Sequence, residues 1–293
     1  MTVKRIVFVF FCICYHALPI YSQPGTTSQQ VSRELEFITY LMNREDFRES
    51  LYLLEKLEVD NGHQSDSVLF LKGWIHYSTK SLSISAAYLE QVSEQSALFL
   101  QSSLFSAYNY AHMGQLSAAE NVLSRLSGLA HTPSESLVRL QAAGLSLLQR
   151  DFDEFTGHAA GFTGQMHVTS PQEARMLQHA LELESWRNKS PFTAGMISAF
   201  VPGMGKVYAG KTAEGIAGLL YVSAMGLTAW DFYRGRGPKD PLFIVSATLA
   251  GIFYAGNIKG SVAAARRANT EFNHEMDQRI LFDMHIPLRS FFR

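Results

Sequence analysis

Apolar and polar positions follow a helical period along most of this chain, and between residues 31 and 165 that pattern is itself repeated. The segments LMNREDFRESLYLLEKL (41–57), GWIHYSTKSLSISAAYLEQV (73–92), AYNYAHMGQLSAAENVLSRL (107–126) and GLSLLQRDFDEFTGHAAGF (144–162) share one order. Each reads as a helix, a short polar turn, a small or aromatic packing position and a second apolar helix. Aligning the turns brings Ser50, Ser85, Ala119 and Phe155 into register, at spacings of 35, 34 and 36 residues.

Helix-start signals support this segmentation. Thr132-Pro133-Ser134-Glu135 and Ser170-Pro171-Gln172-Glu173 both read as N-cap, proline at the first helical position and glutamate at the third. The second opens a capping or stalk helix over 170–189, with Ala174, Leu177, Ala180, Leu181 and Glu184 on one side.

The pattern then changes. Residues 213–233 carry charge only at Glu214 and Asp231, and 241–258 carry none. About 20 helical residues span the hydrocarbon core of a bilayer. With the tight polar connection RGRGPKD, the two stretches predict an antiparallel transmembrane hairpin. Tyr221, Trp230, Phe232, Tyr233 and Tyr254 suit the membrane interface. Gly256 and Gly260 form a G-x-x-x-G pair suited to close helix approach. The alternative is a buried hairpin in a soluble protein. With an even number of spans, the C-terminus returns to the side of the repeats. Arg234, Arg236 and Lys239 then face the cytoplasm, against a weaker opposing signal from Lys259, Arg266 and Arg267.

The N-terminus adds an address. Lys4 and Arg5 precede the apolar run IVFVFFCICY, and Pro19 and Ser22 follow, so 1–22 reads as a secretory signal. An uncleaved anchor is the alternative. Residues 23–30, QPGTTSQQ, form a polar leader expected to be mobile. The only cysteines, Cys12 and Cys14, lie inside the signal, so a cleaved chain has no disulfide. The chain has 293 residues, 47% hydrophobic and 17% charged, with net charge −1. Nothing in that balance points to nucleic acid.

Candidate chemistry is sparse. GKVYAGKT (205–212) matches the P-loop pattern literally. A P-loop needs a buried strand before it and an amphipathic helix after it. Here 192–201 contains Gly195 and Ser198 and is rich in Ala and Met, and the following helix is apolar all round. The stretch therefore reads as a Gly/Pro-rich entry turn into a membrane helix. The ten histidines show no metal-ligand spacing, although His76 and His112 occupy comparable places in neighbouring repeats. Asp151, Asp153 and Glu154 read as a solvated turn, and Glu214 as an interfacial carboxylate at a helix start. Asn257 is polar within an apolar stretch and is expected to pair with backbone freed around 202–205. After Gly260, residues 261–282 read as an amphipathic exit helix, and the C-terminal tail, assigned to 269–293, ends in HIPLRSFFR, whose Phe291 and Phe292 dock on a membrane or a partner.

The period near 34 residues resembles a degenerate tetratricopeptide array. The third copy is the best, with Ala107, Tyr110, Gly114, Ala119 and Leu123 at the family's small, aromatic, glycine, alanine and apolar positions. The family's tryptophan and closing proline positions are not matched. Pro202, Gly203, Gly205, Tyr208, Gly210 and Gly215, followed by Phe253, Tyr254, Gly256, Asn257 and Asn269, resemble a module found after such repeats in Gram-negative envelope proteins. The first half is also similar to the opening of TM2-type two-helix membrane domains. The resemblance implies a membrane hairpin and no catalytic residue.

The fold expected is all-α: a degenerate tetratricopeptide-type α-solenoid (31–165), a capping helix (170–189), a two-helix membrane module (190–268) and a tail (269–293). The function expected is a non-enzymatic, membrane-tethered envelope protein without cofactor or metal. Its periplasmic repeats would bind a protein partner through a groove including Trp74, Tyr77 and Tyr110, in an inner or outer membrane. The alternatives are an oligomeric component of a transport system and, more remotely, a P-loop enzyme.

Overall fold

One turn geometry is written four times along the first half of the chain. Glu45, Lys80, Gly114 and Arg150 take positive φ angles of 65°, 62°, 75° and 63°. The N–H of each following residue reaches back to a carbonyl five positions earlier: Asp46 to Leu41, Ser81 to His76, Gln115 to Tyr110 and Asp151 to Ser146, at 2.8 to 3.0 Å. This is a Schellman closure, which satisfies carbonyls that a helix end leaves open. Three of the four left-handed positions carry a Cβ, which costs about 1 kcal/mol each. Local preference does not explain them, so packing of the two helices must hold the turn.

The computed structural model describes residues 26–61, 65–126 and 133–292. Among these residues there are thirteen α-helices and no strand. The signal at 1–22 and the N-cap at Thr132 lie outside the described residues. The polar leader is already helical from Thr26, a correction to the mobile segment expected there.

The chain divides into two compact units at Ser102 and Ser103. The first contains α1 (Thr26–Asn43), α2 (Phe47–Asn61), α3 (Asp66–Ser78) and α4 (Leu82–Glu90). Ile38, Met42, Leu54, Leu57, Val68 and Ile75 form its core. Between α3 and α4, Ser85 Oγ donates to the Gly73 carbonyl at 2.7 Å. A Cβ on Gly73 would lie 2.6 Å from Leu89, so these helices need a glycine at their closest approach.

The division falls inside α5 (Phe99–His112). The second unit continues through α6 (Leu116–Ser124), α7 (Pro133–Gln149), α8 (Phe152–Ala159), α9 (Ser170–Ser185), α10 (Pro191–Phe200), α11 (Met204–Tyr208), α12 (Thr212–Arg236) and α13 (Pro241–Phe291). Ser50, Ser85, Ala119 and Phe155, aligned from sequence, each lie five residues after a left-handed residue and are buried.

Two expectations change in the second unit. The N-cap of α9 is Thr169, not Ser170, and Glu173 accepts bonds from Thr169 Oγ1 at 2.6 Å and Gly164 N–H at 3.0 Å. The helix buries Gln172, Glu173, Met176, His179, Ala180 and Leu183, leaving Leu177 and Leu181 exposed. Polar residues on its buried side face α13, which supplies Asp283 as a partner.

The second change is larger. The exit helix expected over 261–282 is there, but it continues α13 and runs on to Phe291, so 269–291 is the distal half of a helix of 51 residues and not a tail. Met276, Ile280, Met284 and Leu288 recur every fourth position and are buried. Gln141 Nε2 donates to the Met284 carbonyl at 2.7 Å, and Arg150 reaches Asp277 at 2.8 Å. His285 stacks on Tyr108 at 4.9 Å, and Phe292 packs on Phe105 at 6.2 Å. Phe292 therefore docks on its own chain.

Candidate functional site

The proximal half of α13 and all of α12 form an apolar hairpin. Asp240 caps α13, its Oδ1 accepting from Leu242 and Phe243 N–H, and Gly237 makes the bend at φ 87°. Both helices are long and apolar enough to cross a membrane, and only 11% of each apolar window is buried. Leu220, Leu227, Trp230, Ile244, Val245 and Ile252 all stand exposed.

At the base of this hairpin the sequence motif closes into one structure. The Lys189 N–H and carbonyl pair with the Asn269 side chain at 2.8 and 2.9 Å. Further along α10, a Cβ on Gly195 would meet Val262, and Ser198 Oγ bonds Ser261 Oγ at 2.6 Å. At its end Tyr254 OH donates to the Ala199 carbonyl. The partners on α13 fall from 269 to 254 as α10 advances, so the two helices run antiparallel.

The chain reverses at Pro202 and Gly203, the latter at φ 87°. α11 then climbs back beside α10. Gly205 N–H donates to Ser198 Oγ at 2.9 Å, and a Cβ on Gly205 would lie 1.9 Å from the Ala194 carbonyl oxygen. Tyr208 OH accepts from Ser190 N–H at 3.1 Å. At Gly210 (φ 86°), Lys211 N–H returns to the Lys206 carbonyl at 2.8 Å. This is the closure of the four earlier hairpins used a fifth time. Gly215 follows five residues later, buried against Gly203 and Val207.

The stretch 205–212 is thus a short helix, a left-handed turn and a helix start, entered from α10. Its Gly205 N–H is committed to Ser198, and Lys211 Nζ reaches Glu271 at 3.2 Å. That is not a strand-to-helix phosphate loop. Glu214 sits exposed in the first turn of α12.

Nine of the eleven motif residues named from sequence converge here: Pro202, Gly203, Gly205, Tyr208, Gly210, Gly215, Tyr254, Asn257 and Asn269. Gly256 does not, since a Cβ there would meet nothing within 4 Å, and the expected close approach at Gly256 and Gly260 is not used between α12 and α13. Gly218 takes that role, where an added Cβ would lie 2.8 Å from Asn257 Oδ1. Asn257 therefore faces α12 instead of the backbone at 202–205. Its side-chain oxygen and nitrogen are buried without a hydrogen-bond partner among the described residues. Such a group costs about 1–3 kcal/mol.

Of the aromatic groove residues, Trp74 and Tyr77 lie in the first unit, their rings 5.3 Å apart and half-buried. Tyr110 lies half-buried in the second unit. His76 stacks on Tyr88 at 5.7 Å, and burial, then Lys72, lowers its pKa below 6.5. Among the described residues no group of three or more His, Cys, Asp or Glu is gathered as a metal would need.

Sequence reasoning missed two features. One is a groove of about 420 Å³ lined by residues of α6, α7 and α8, including Glu120, Arg139, Gln149, Glu154 and His158. The other is the buried Asp283, which bonds Arg175 Nε at 2.6 Å and His179 Nε2 at 2.8 Å. Asp283 lies on the same face as the four-residue apolar stripe of distal α13, which is the one sequence signal that a charge there is inside.

No protein-family model, curated protein or solved structure matches this chain.

Proposed function

We propose that this is a membrane-tethered, non-enzymatic envelope protein of tetratricopeptide-like build, whose helical hairpins bind a protein partner. α12 and proximal α13 cross the bilayer. The observation that carries this reading is the exposure of two long apolar helices on an otherwise folded chain. Contiguous apolar surface on that scale is covered by something, and its length matches a hydrocarbon core. Distal α13 is bound into the second unit, so both ends of the hairpin leave the membrane on one side. The turn at 237–240 lies on the other. The four closures at 35-, 34- and 36-residue spacing support the repeat reading. The groove on α6, α7 and α8 is the partner site we assign in the second unit. The signal-like run at 1–22 supports an envelope location with the repeats in the periplasm.

Alkaline-carbonate extraction of cell envelopes, combined with protease access, tests this. The protein should stay in the pellet, with the helical units digested and the 234–239 loop protected. Release by carbonate would sink the tether.

A second reading, an oligomeric membrane component, is favoured by one observation. Gly226, Gly251 and Gly256 lie on the hairpin with nothing within 4 Å of an added Cβ. Such positions allow close contact between helices of different copies. Loss of detergent-stable oligomers on Gly256→Leu would support it.

A further inference from the structure

α10 carries an apolar stripe that no described part of its unit covers. Phe192, Met196 and Phe200 follow one another at four-residue spacing, and Phe192 and Phe200 are 76% and 81% exposed. Val201 and Met204 continue the stripe around the turn, at 45% and 41%. With ten residues the helix is about 15 Å long, too short to cross a bilayer.

Its register against α13 shows how far it descends. The pairing begins at Asn269 and ends at Tyr254, inside the uncharged stretch 241–258. α11 then ascends, so that Lys206 lies beside Gly260 and Tyr208 returns to Ser190. The turn at 201–203 is therefore level with the apolar hairpin, while both ends of α10–α11 stand above it.

We infer that α10 and α11 form a re-entrant element. It dips into the bilayer from the side of the helical units, sets Phe200, Val201 and Met204 against lipid acyl chains, and returns without crossing. This rests on the membrane reading above.

Two observations choose lipid as the occupant. First, several backbone groups around the reversal find partners within the protein. Gly205 N–H goes to Ser198 Oγ, the Ala199 carbonyl takes Tyr254 OH, and Val201 N–H returns to the Ile197 carbonyl at 2.9 Å. Non-helical backbone exists at membrane depth only under that condition. Second, charge is layered. No charged residue occurs in 190–205 or 241–258, whereas Lys189, Lys206, Lys211, Arg266 and Arg267 cluster at the entry of the hairpin. Cations at that level suit phosphate headgroups, and the apolar stripe continues below them.

The test uses the full chain with Cys12→Ser and Cys14→Ser, carrying single cysteines in place of Phe200, Val201, Leu249 or Tyr52. Each is labelled with an environment-sensitive fluorophore in vesicles of phosphatidylethanolamine and phosphatidylglycerol. The Phe200, Val201 and Leu249 labels should lose most of their emission to lipid-borne spin labels and resist aqueous iodide, and Tyr52 should do the reverse. Iodide quenching at Phe200 and Val201, with Leu249 still lipid-quenched, overturns the re-entrant element and leaves the tether intact. Protection of Phe200 and Val201 from both quenchers means that protein covers the stripe, which also overturns it. Iodide quenching at Leu249 removes the membrane reading itself.

Discussion

The two halves of α13 invert the usual relation between composition and burial. The proximal half, 241–258, has no charge and stands mostly exposed. The distal half carries Glu271, Glu275, Asp277, Arg279, Asp283 and Arg289, yet Asp283, Met284 and Leu288 are buried. Hydrophobicity alone does not say what is inside. A polar face can be interior when a neighbouring helix supplies partners, as α9 does with Arg175 and His179. An apolar face is left outward when its solvent is lipid instead of water.

The sharpest test of that contrast lies in the distal half. Asp283→Ala leaves Arg175 and His179 facing each other without their shared carboxylate. With Arg175 partly exposed, breaking this cluster from one side costs about 3 kcal/mol, the low end for a buried pair. Denaturant unfolding in mild detergent should show a large loss of stability. An unchanged midpoint would mean that the buried pair holds nothing together.

The proximal half should respond to charge in a different currency. Leu249→Arg places a cation in the middle of the proposed span, where it would cost about 2.5–3.5 kcal/mol against insertion. Carbonate should then release a much larger fraction of the protein. Phe282→Arg, on the exposed side of the distal half, should release none. Equal behaviour of the two variants would erase the distinction between the halves.

Between the halves lies the base of the hairpin. Gly205→Ala drives a Cβ into the Ala194 carbonyl and should cost about 1–3 kcal/mol, seen as faster proteolysis of the 190–211 segment. Gly256→Ala, with open space around it, should behave as wild type. Matching effects at the two glycines would refute the packing described for the base.

The smallest expected effect is one of pH. Burial, then Arg289 and His112, lowers the pKa of His285 below 6.5. The unfolded chain therefore takes up that proton first. Stability from a neutral His285 is complete above pH 6.5 and is lost as pH falls through the lower folded value. His285→Gln should flatten the acid side of the stability profile, measured by thermal melting from pH 8 to 5. A profile parallel to wild type would show that the stack on Tyr108 has no part in acid sensitivity.

Much of the local architecture was legible without coordinates. The repeat spacing placed four helical hairpins and their buried packing positions, because small residues and turn residues recur at fixed distances from each helix end. The glycine motif marked the base of the apolar hairpin, because φ angles of 87° and 86° at Gly203 and Gly210 suit a residue without a Cβ. The face of α9 was misjudged, because its buried side mixes Gln172, Glu173 and His179 with Met176, Ala180 and Leu183, and the partner of His179 is more than a hundred residues away. Asn257 was assigned to the wrong neighbour, because nothing local distinguishes the 202–205 turn from Gly218. Gly256 and Gly260 match a pairing motif, yet a motif does not say which surface meets them.

By itself, the sequence determined where helices begin and turn, and which stretches have the length and composition to cross a bilayer. Those properties depend on neighbours within a few residues: capping groups, left-handed positions and the period of apolar side chains. Tertiary structure alone decided that the exit helix continues α13 without a break to Phe291, that Asp283 is buried against His179 and paired with the part-exposed Arg175, and that α10 and α11 descend beside Tyr254 and return. Each depends on contacts between residues far apart in the chain. There a single opposite charge or one missing Cβ selects among faces that the local pattern leaves nearly equivalent.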